Sequence, residues 1–150
     1  MPSGRSKSQE EIKELATRIK AGSIVKMFCD FIPNPKDKYT VFAHVDFDND
    51  GYLIFIVNSE VRPLIEHDEH LKQGQILLSK KPSYDFFDHN SYVNCVEVYD
   101  CVDLQYILQN LIDYLGELQR KELDEIIAFV KIAQTISDDD REIIIESLSR

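Results

Sequence analysis

The spacing of apolar side chains changes period twice along the chain. Ile12, Leu15, Ala16 and Ile19 recur at helical spacing behind Ser8-Gln9-Glu10-Glu11, which has the form of a capping box. A helix starting there should stop at Gly22, whose missing Cβ suits a left-handed C-terminal turn. From Ser23 the pattern is that of strands, over 24–29, 39–47, 52–57, 76–78 and 92–98. Asp48-Asn49-Asp50-Gly51, between the second and third, is a strong hairpin signal. Pro33 and Pro35 break the loop before the second strand, and residues 58–74 read as a long polar connection. Beyond Asp100 the helical period returns. Asp103 is the expected N-cap of a helix carrying one continuous stripe: Leu104, Ile107, Leu108, Leu111, Ile112, Leu115 and Leu118. Leu123, Ile126, Ile127, Val130 and Ala133 form a second stripe, and Ser137 opens a short last helix with acidic residues in its first turn.

Helix, about five strands and then helices again predict an α+β fold. Short strands at this spacing predict a small curled antiparallel barrel with an N-terminal helix and a C-terminal helical extension. Residues 1–7 read as a flexible tail, 8–118 as the helix, the barrel and its closing helix, and 119–150 as the extension.

Charge sharpens this picture. The net charge of −10 is unevenly spread. Up to Val45, eight Lys/Arg face five Asp/Glu (net +3); from Asp46 onward, nine face twenty-two (net −13). An acidic surface repels nucleic acid, so any RNA or DNA site must be a local basic groove. The longest apolar run, 52–57, is too short to span a bilayer, and the first residues lack the apolar stretch of a signal peptide. Three sparse cysteines do not make a disulfide framework. A cytoplasmic protein without membrane contact is expected.

Few motifs carry chemistry by themselves. Asp46, Asp48, Asp50 and Gly51 fit the start of an EF-hand loop, but Val57 stands at its twelfth place and the flanks are strands, so an acidic hairpin turn is the better reading. His67, His70 and His89 lack the companions of a zinc site and read as solvated loop residues. His89, ahead of Asn90-Ser91, could serve as a general acid or base. No Gly-x-Ser-x-Gly elbow and no Gly-x-x-x-x-Gly-Lys loop exists. Gln75-Ile76-Leu77-Leu78-Ser79-Lys80-Lys81 is an apolar strand ending on a hydroxyl and two ammonium groups, a phosphate-binding combination. Three consecutive isoleucines, Ile143 to Ile145, cannot all face one core and mark a candidate oligomer contact.

Taken in order, these pieces resemble the MazF/PemK family of bacterial toxins, small SH3-like barrels. Gly22-Ser23-Ile24-Val25 with Asp30-Phe31 resembles its opening strand and loop. Lys36-Asp37-Lys38-Tyr39-Thr40-Val41 lies where the family has a basic residue, proline and a valine-rich strand. Val57-Asn58-Ser59 resembles the serine ending its next core strand, 76–80 its strand ending in a catalytic threonine or serine, and His89-Asn90-Ser91-Tyr92-Val93 its Asp-Ser signature. The resemblance spans residues 22–118. It implies a metal-independent endoribonuclease acting on single-stranded RNA, without cofactor, as a homodimer held inactive by a cognate antitoxin. It places Lys38 and Ser79 as catalytic residues and Lys80, Arg62, Asn58, Ser59, His89 and Ser91 around the substrate. Lys38-Tyr39 replaces the family's Arg-Pro, and lysine lacks the bidentate fork of arginine. The alternative is a barrel without catalysis that serves as a protein-interaction module.

Overall fold

The computed structural model describes residues 7–150, so all but the last residue of the expected tail lies outside the described residues. Its elements are α1 (Gln9–Thr17), β1 (Ser23–Cys29), β2 (Lys36–Asp46), β3 (Gly51–Asn58), α2 (Pro63–Glu66), α3 (Glu69–Gln73), β4 (Gln75–Leu78), β5 (Ser91–Tyr99), α4 (Leu104–Asn110), β6 (Leu111–Glu117), α5 (Arg120–Ile132) and α6 (Asp138–Leu148). The strands form one antiparallel six-stranded sheet in the order β4-β5-β3-β2-β1-β6. Its outer strands, β4 and β6, do not pair with each other, so the sheet is open. The fold is α+β, and no described helix is long and apolar enough to cross a membrane.

Alternation along the strands sends side chains to two cores. Ile24, Val41, Phe55, Val57, Leu78 and Val93 face α5 and α6, where Ile126, Phe129, Val130, Ile144 and Leu148 close over them. Val25, Met27, Phe42, Tyr52 and Ile54 face α1 and α4, meeting Ile12, Ala16, Ile107 and Leu111. Both faces of β3 are covered, which is why 52–57 is an unbroken apolar run rather than an alternating one. The α5 and α6 helices thus share the core of the sheet. Of the isoleucine triplet, Ile144 is buried, Ile145 packs at the core margin, and Ile143 is exposed.

Local chemistry sets most boundaries. At α1, Ser8 Oγ accepts the Glu11 N–H and Glu11 Oε1 accepts the Ser8 N–H, both at 3.2 Å. This helix ends at Thr17 rather than at Gly22. Gly22, at φ +95°, instead turns the chain into β1, donating to Phe42 O at 2.7 Å. Asp103 and Ser137 cap α4 and α6. In the β2–β3 turn, Asp46 accepts both the backbone and the side-chain N–H of Asn49 while Asp50 takes φ +54°, so the acidic segment is a hairpin turn.

Two segments differ from expectation. Residues 58–74 are not simply polar loop; they hold α2 and α3. His70 is only partly exposed there and is engaged: its Nε2 accepts the Gln134 N–H at 3.0 Å and its ring lies 5.5 Å from that of Phe129. The stripe from Leu104 to Leu118 is not one helix. It stops at Asn110, whose Nδ2 donates to Tyr106 O at 2.9 Å, and the chain turns extended at Leu111 to form β6 against β1. Leu111, Ile112 and Leu115 suit either period over so short a run, and the second edge of β1 offers open N–H and C=O groups, which β6 pairs with two shifts of register. Gly116, at φ +156°, has a conformation no helix uses.

Candidate functional site

Lys38 and Asn58 stand side by side near the ends of β2 and β3, because the hairpin register pairs Tyr39 with Val57. Lys38 Nζ donates to Asn58 Oδ1 at 2.8 Å. Tyr39 and Val57 pack with the α5–α6 side of the sheet, so by alternation Lys38 and Asn58 point to the other side, beyond the cover of α1 and α4. There they line a hollow of about 330 Å³ together with Lys36, Ile56, Ser59, Glu60, Arg62, Asn94 and Tyr99.

Ile32, Pro33 and Asn34 of the β1–β2 loop make one wall. Tyr106 holds that loop in place: its hydroxyl accepts the Asp30 N–H at 3.0 Å and donates to Phe28 O at 2.6 Å. Phe31 sits between the rings of Tyr99 and Tyr106, 5.2 and 5.9 Å away. Arg62, at the N-cap position of α2 but with no capping side-chain bond, also lines the hollow and meets Glu97 at 3.5 Å, an exposed pair of small energetic weight. Tyr99 donates to the other oxygen of Glu97 at 2.7 Å.

Three cations and one carboxylate, Glu60, therefore line the hollow of a chain whose net charge is −10. Partial burial, first, and then the positive charges of Lys36 and Arg62 hold the Lys38 ammonium below its usual pKa, while Cys29 acts the other way. At the floor, Asn94 is 4% exposed, and its Oδ1 accepts from Gln75 Nε2 at 2.9 Å and from the Val96 N–H at 3.2 Å.

Of the residues selected from sequence, Lys38, Asn58, Ser59 and Arg62 come together in this hollow. Ser79 does not join them. It lines a second hollow of about 200 Å³ with Lys81, Ser83, Tyr84, Gln119 and Glu122, and the two share no residue. There Tyr84 donates to the buried Glu122 at 2.5 Å and accepts the Gln119 N–H at 2.9 Å; burial, helped by Glu122, pushes the phenol far up. Lys80 is a staple of its own loop: its ammonium donates to Phe87 O at 2.6 Å and Asp85 O at 3.2 Å, and its N–H to Asn90 Oδ1 at 2.8 Å. His89 is exposed and donates through Nδ1 to Asn90 O at 3.0 Å. Ser91 is buried, with its hydroxyl donating to His89 O at 3.4 Å. None of these last three lines either hollow.

The sequence reading did not select Lys36, Asn94 or Tyr99 as site residues. Asn94 carried a signal: an amide inside the apolar run Tyr92-Val93-Asn94-Cys95-Val96 is a buried polar group in want of a reason. The arrangement as a whole can hold an anion by two ammonium groups, a guanidinium, amides and a hydroxyl. No family model matches the chain, and no curated protein matches its sequence significantly.

Proposed function

We propose that the chain is a metal-independent endoribonuclease of the toxin kind, acting on single-stranded RNA, with the Lys38 hollow as its phosphodiester site. The observation that carries this is the gathering of Lys36, Lys38 and Arg62 on one concave surface of an acidic protein, beside Asn58 and Ser59. In the reaction the ribose 2′-oxygen attacks the adjacent phosphorus. The O2′–P bond forms and the P–O5′ bond breaks, one proton leaves the 2′-hydroxyl, and one reaches the departing 5′-oxygen. Lys38, with its depressed pKa, is the group suited to exchange a proton there. Lys36 and Arg62 neutralise the charge that builds on the phosphoryl oxygens, and the Ser59 hydroxyl is a further donor. Ser79 has no part in this site. The same reading takes the open sheet as a divergent SH3-like barrel, and a homodimer and a protein antitoxin as its regulation.

A second reading, a barrel without catalysis that binds proteins, draws on a different surface. Ala16, Thr17, Leu104 and Leu108 line an apolar groove with Phe47, which is 42% exposed. Induced expression in a bacterial host, with growth and total RNA followed together, separates the two. Growth arrest with RNA fragmentation, lost in Lys38→Ala and Arg62→Ala and kept in Ser79→Ala, is the expected result. Intact RNA with the wild-type chain would overturn the nuclease reading.

A further inference from the structure

We infer that Asn94 is a fixed donor to a phosphoryl oxygen at the floor of the Lys38 hollow, and that Gln75 on β4 is the residue that positions it. This rests on the phosphodiester reading of the same site. The orientation of the amide follows from what its neighbours can do. The backbone N–H of Val96 can only donate, so the atom 3.2 Å from it is the Asn94 oxygen. The Gln75 side chain donates to that same oxygen at 2.9 Å from the neighbouring strand, where Gln75 is the register partner of Asn94. Both acceptor positions of the oxygen are thereby used, and the NH₂ group is turned the other way.

That NH₂ donates to no described residue, although Asn94 is 4% exposed. It is not sealed in the core either: among the described residues the buried side-chain atoms without a partner are Thr40 Oγ1 and Tyr52 Oη. Asn94 lines the hollow, which puts its NH₂ within reach of whatever occupies that hollow. The NH₂ is a donor left free for an incoming acceptor, and an oxyanion is the acceptor the surrounding cations favour. Because the amide is held before anything binds, it need not reorganise when charge accumulates on the oxygen. Lys36 and Lys38 supply charge with little direction; Asn94, like the guanidinium of Arg62, supplies direction.

The test is nitrogen-15 NMR on the full chain titrated with a 2′-O-methyl oligoribonucleotide, which binds but cannot be cleaved. The Asn94 side-chain NH₂ signals, assigned by through-bond correlation to the Asn94 backbone, should shift saturably together with the backbone signals of Lys36, Lys38 and Arg62. Asn94→Asp should weaken binding about tenfold or more, because it replaces the donor by an acceptor and sets a negative charge against the oxyanion. Gln75→Leu should weaken it as well, although it touches no nucleotide; unchanged affinity would overturn its positioning role. Backbone shifts at the three cations with a stationary Asn94 NH₂ would overturn the inference and leave the site reading standing. No shift anywhere would overturn both. The wild-type titration decides between these whether or not the variants fold.

Discussion

Replacing Gly74 by alanine tests how tightly the sheet is seated on α5. Gly74 ends α3 at φ −80°, ψ 0°, a conformation open to any residue, and its carbonyl accepts the Cys95 N–H at 2.8 Å. The obstacle is space. A Cβ there would lie 2.8 Å from Phe129 Cζ, 2.8 Å from Val96 Cγ2 and 2.9 Å from Phe129 Cε2. Ordinary carbon contacts are about 3.5–4.0 Å, so the new methyl intrudes by roughly 0.7 Å or more on two side chains that are themselves buried. Overpacking of this kind costs about 1–3 kcal/mol, and the lower entropy of the unfolded alanine chain returns about 0.4–1 kcal/mol. With a contact this short on two buried side chains the upper part of that cost applies, and a net loss of about 1–2.5 kcal/mol is expected. Urea unfolding should show a lower midpoint at unchanged slope. The double variant with Val96→Ala should lose less than the sum of the two single losses, since the smaller side chain removes one of the clashes. A Gly74→Ala protein as stable as wild type, or an additive double variant, would refute the close approach of Phe129 and Val96.

Arg141 donates to Val130 O, Ala133 O and Ile136 O at 3.0, 2.6 and 3.1 Å, and pairs with Asp138; Arg141→Ala should destabilise by about 2 kcal/mol or more in thermal unfolding, and a loss below about 0.5 kcal/mol would contradict this role. For Lys38, the folded state holds a proton less readily than the unfolded chain, so stability should rise as pH climbs through the depressed pKa towards 10.5, where the unfolded chain still holds it. Lys38→Met should flatten that rise in a pH series of unfolding curves. Affinity for single-stranded RNA should fall with salt with a log–log slope of about −2 from the three cations, and Lys36→Ala should reduce its steepness by about 0.7; an unchanged slope would place the phosphates elsewhere.

The sequence made β1 to β5 and the last two helices legible because their apolar periods extend over whole elements, and Ser8, Asp103 and Ser137 marked the starts of α1, α4 and α6. It failed at Leu111, where Leu111, Ile112 and Leu115 fit two periods and the free edge of β1 decided between them. The candidate site divides along the same line. Lys38, Asn58 and Ser59 fall together because a recognisable turn, Asp48 to Gly51, sets the register that joins them. Ser79 follows β4, at the outer edge of the sheet beyond β5, and no spacing in the chain tells which hollow it borders. Lys80 read as a free cation because the carbonyls that hold it, Asp85 and Phe87, are brought to it only by the fold of its loop.

The placement of β6 has a consequence for how the chain acquires its structure. Strand β1 gains one neighbour from the next strand in sequence, but its other neighbour comes from residues 111–117, with Ser23 opposite Glu117. Closing so long a stretch of chain is entropically slow, and it follows rather than precedes the β2–β3 hairpin. During synthesis, everything from Ser23 to Asn110 leaves the ribosome while one side of β1 still presents open N–H and C=O groups. That edge is available in this interval to any other extended segment, including the β1 of a neighbouring nascent chain. A chain ended before Leu111 would keep the edge permanently, and aggregation rather than simple loss of stability is its expected fate.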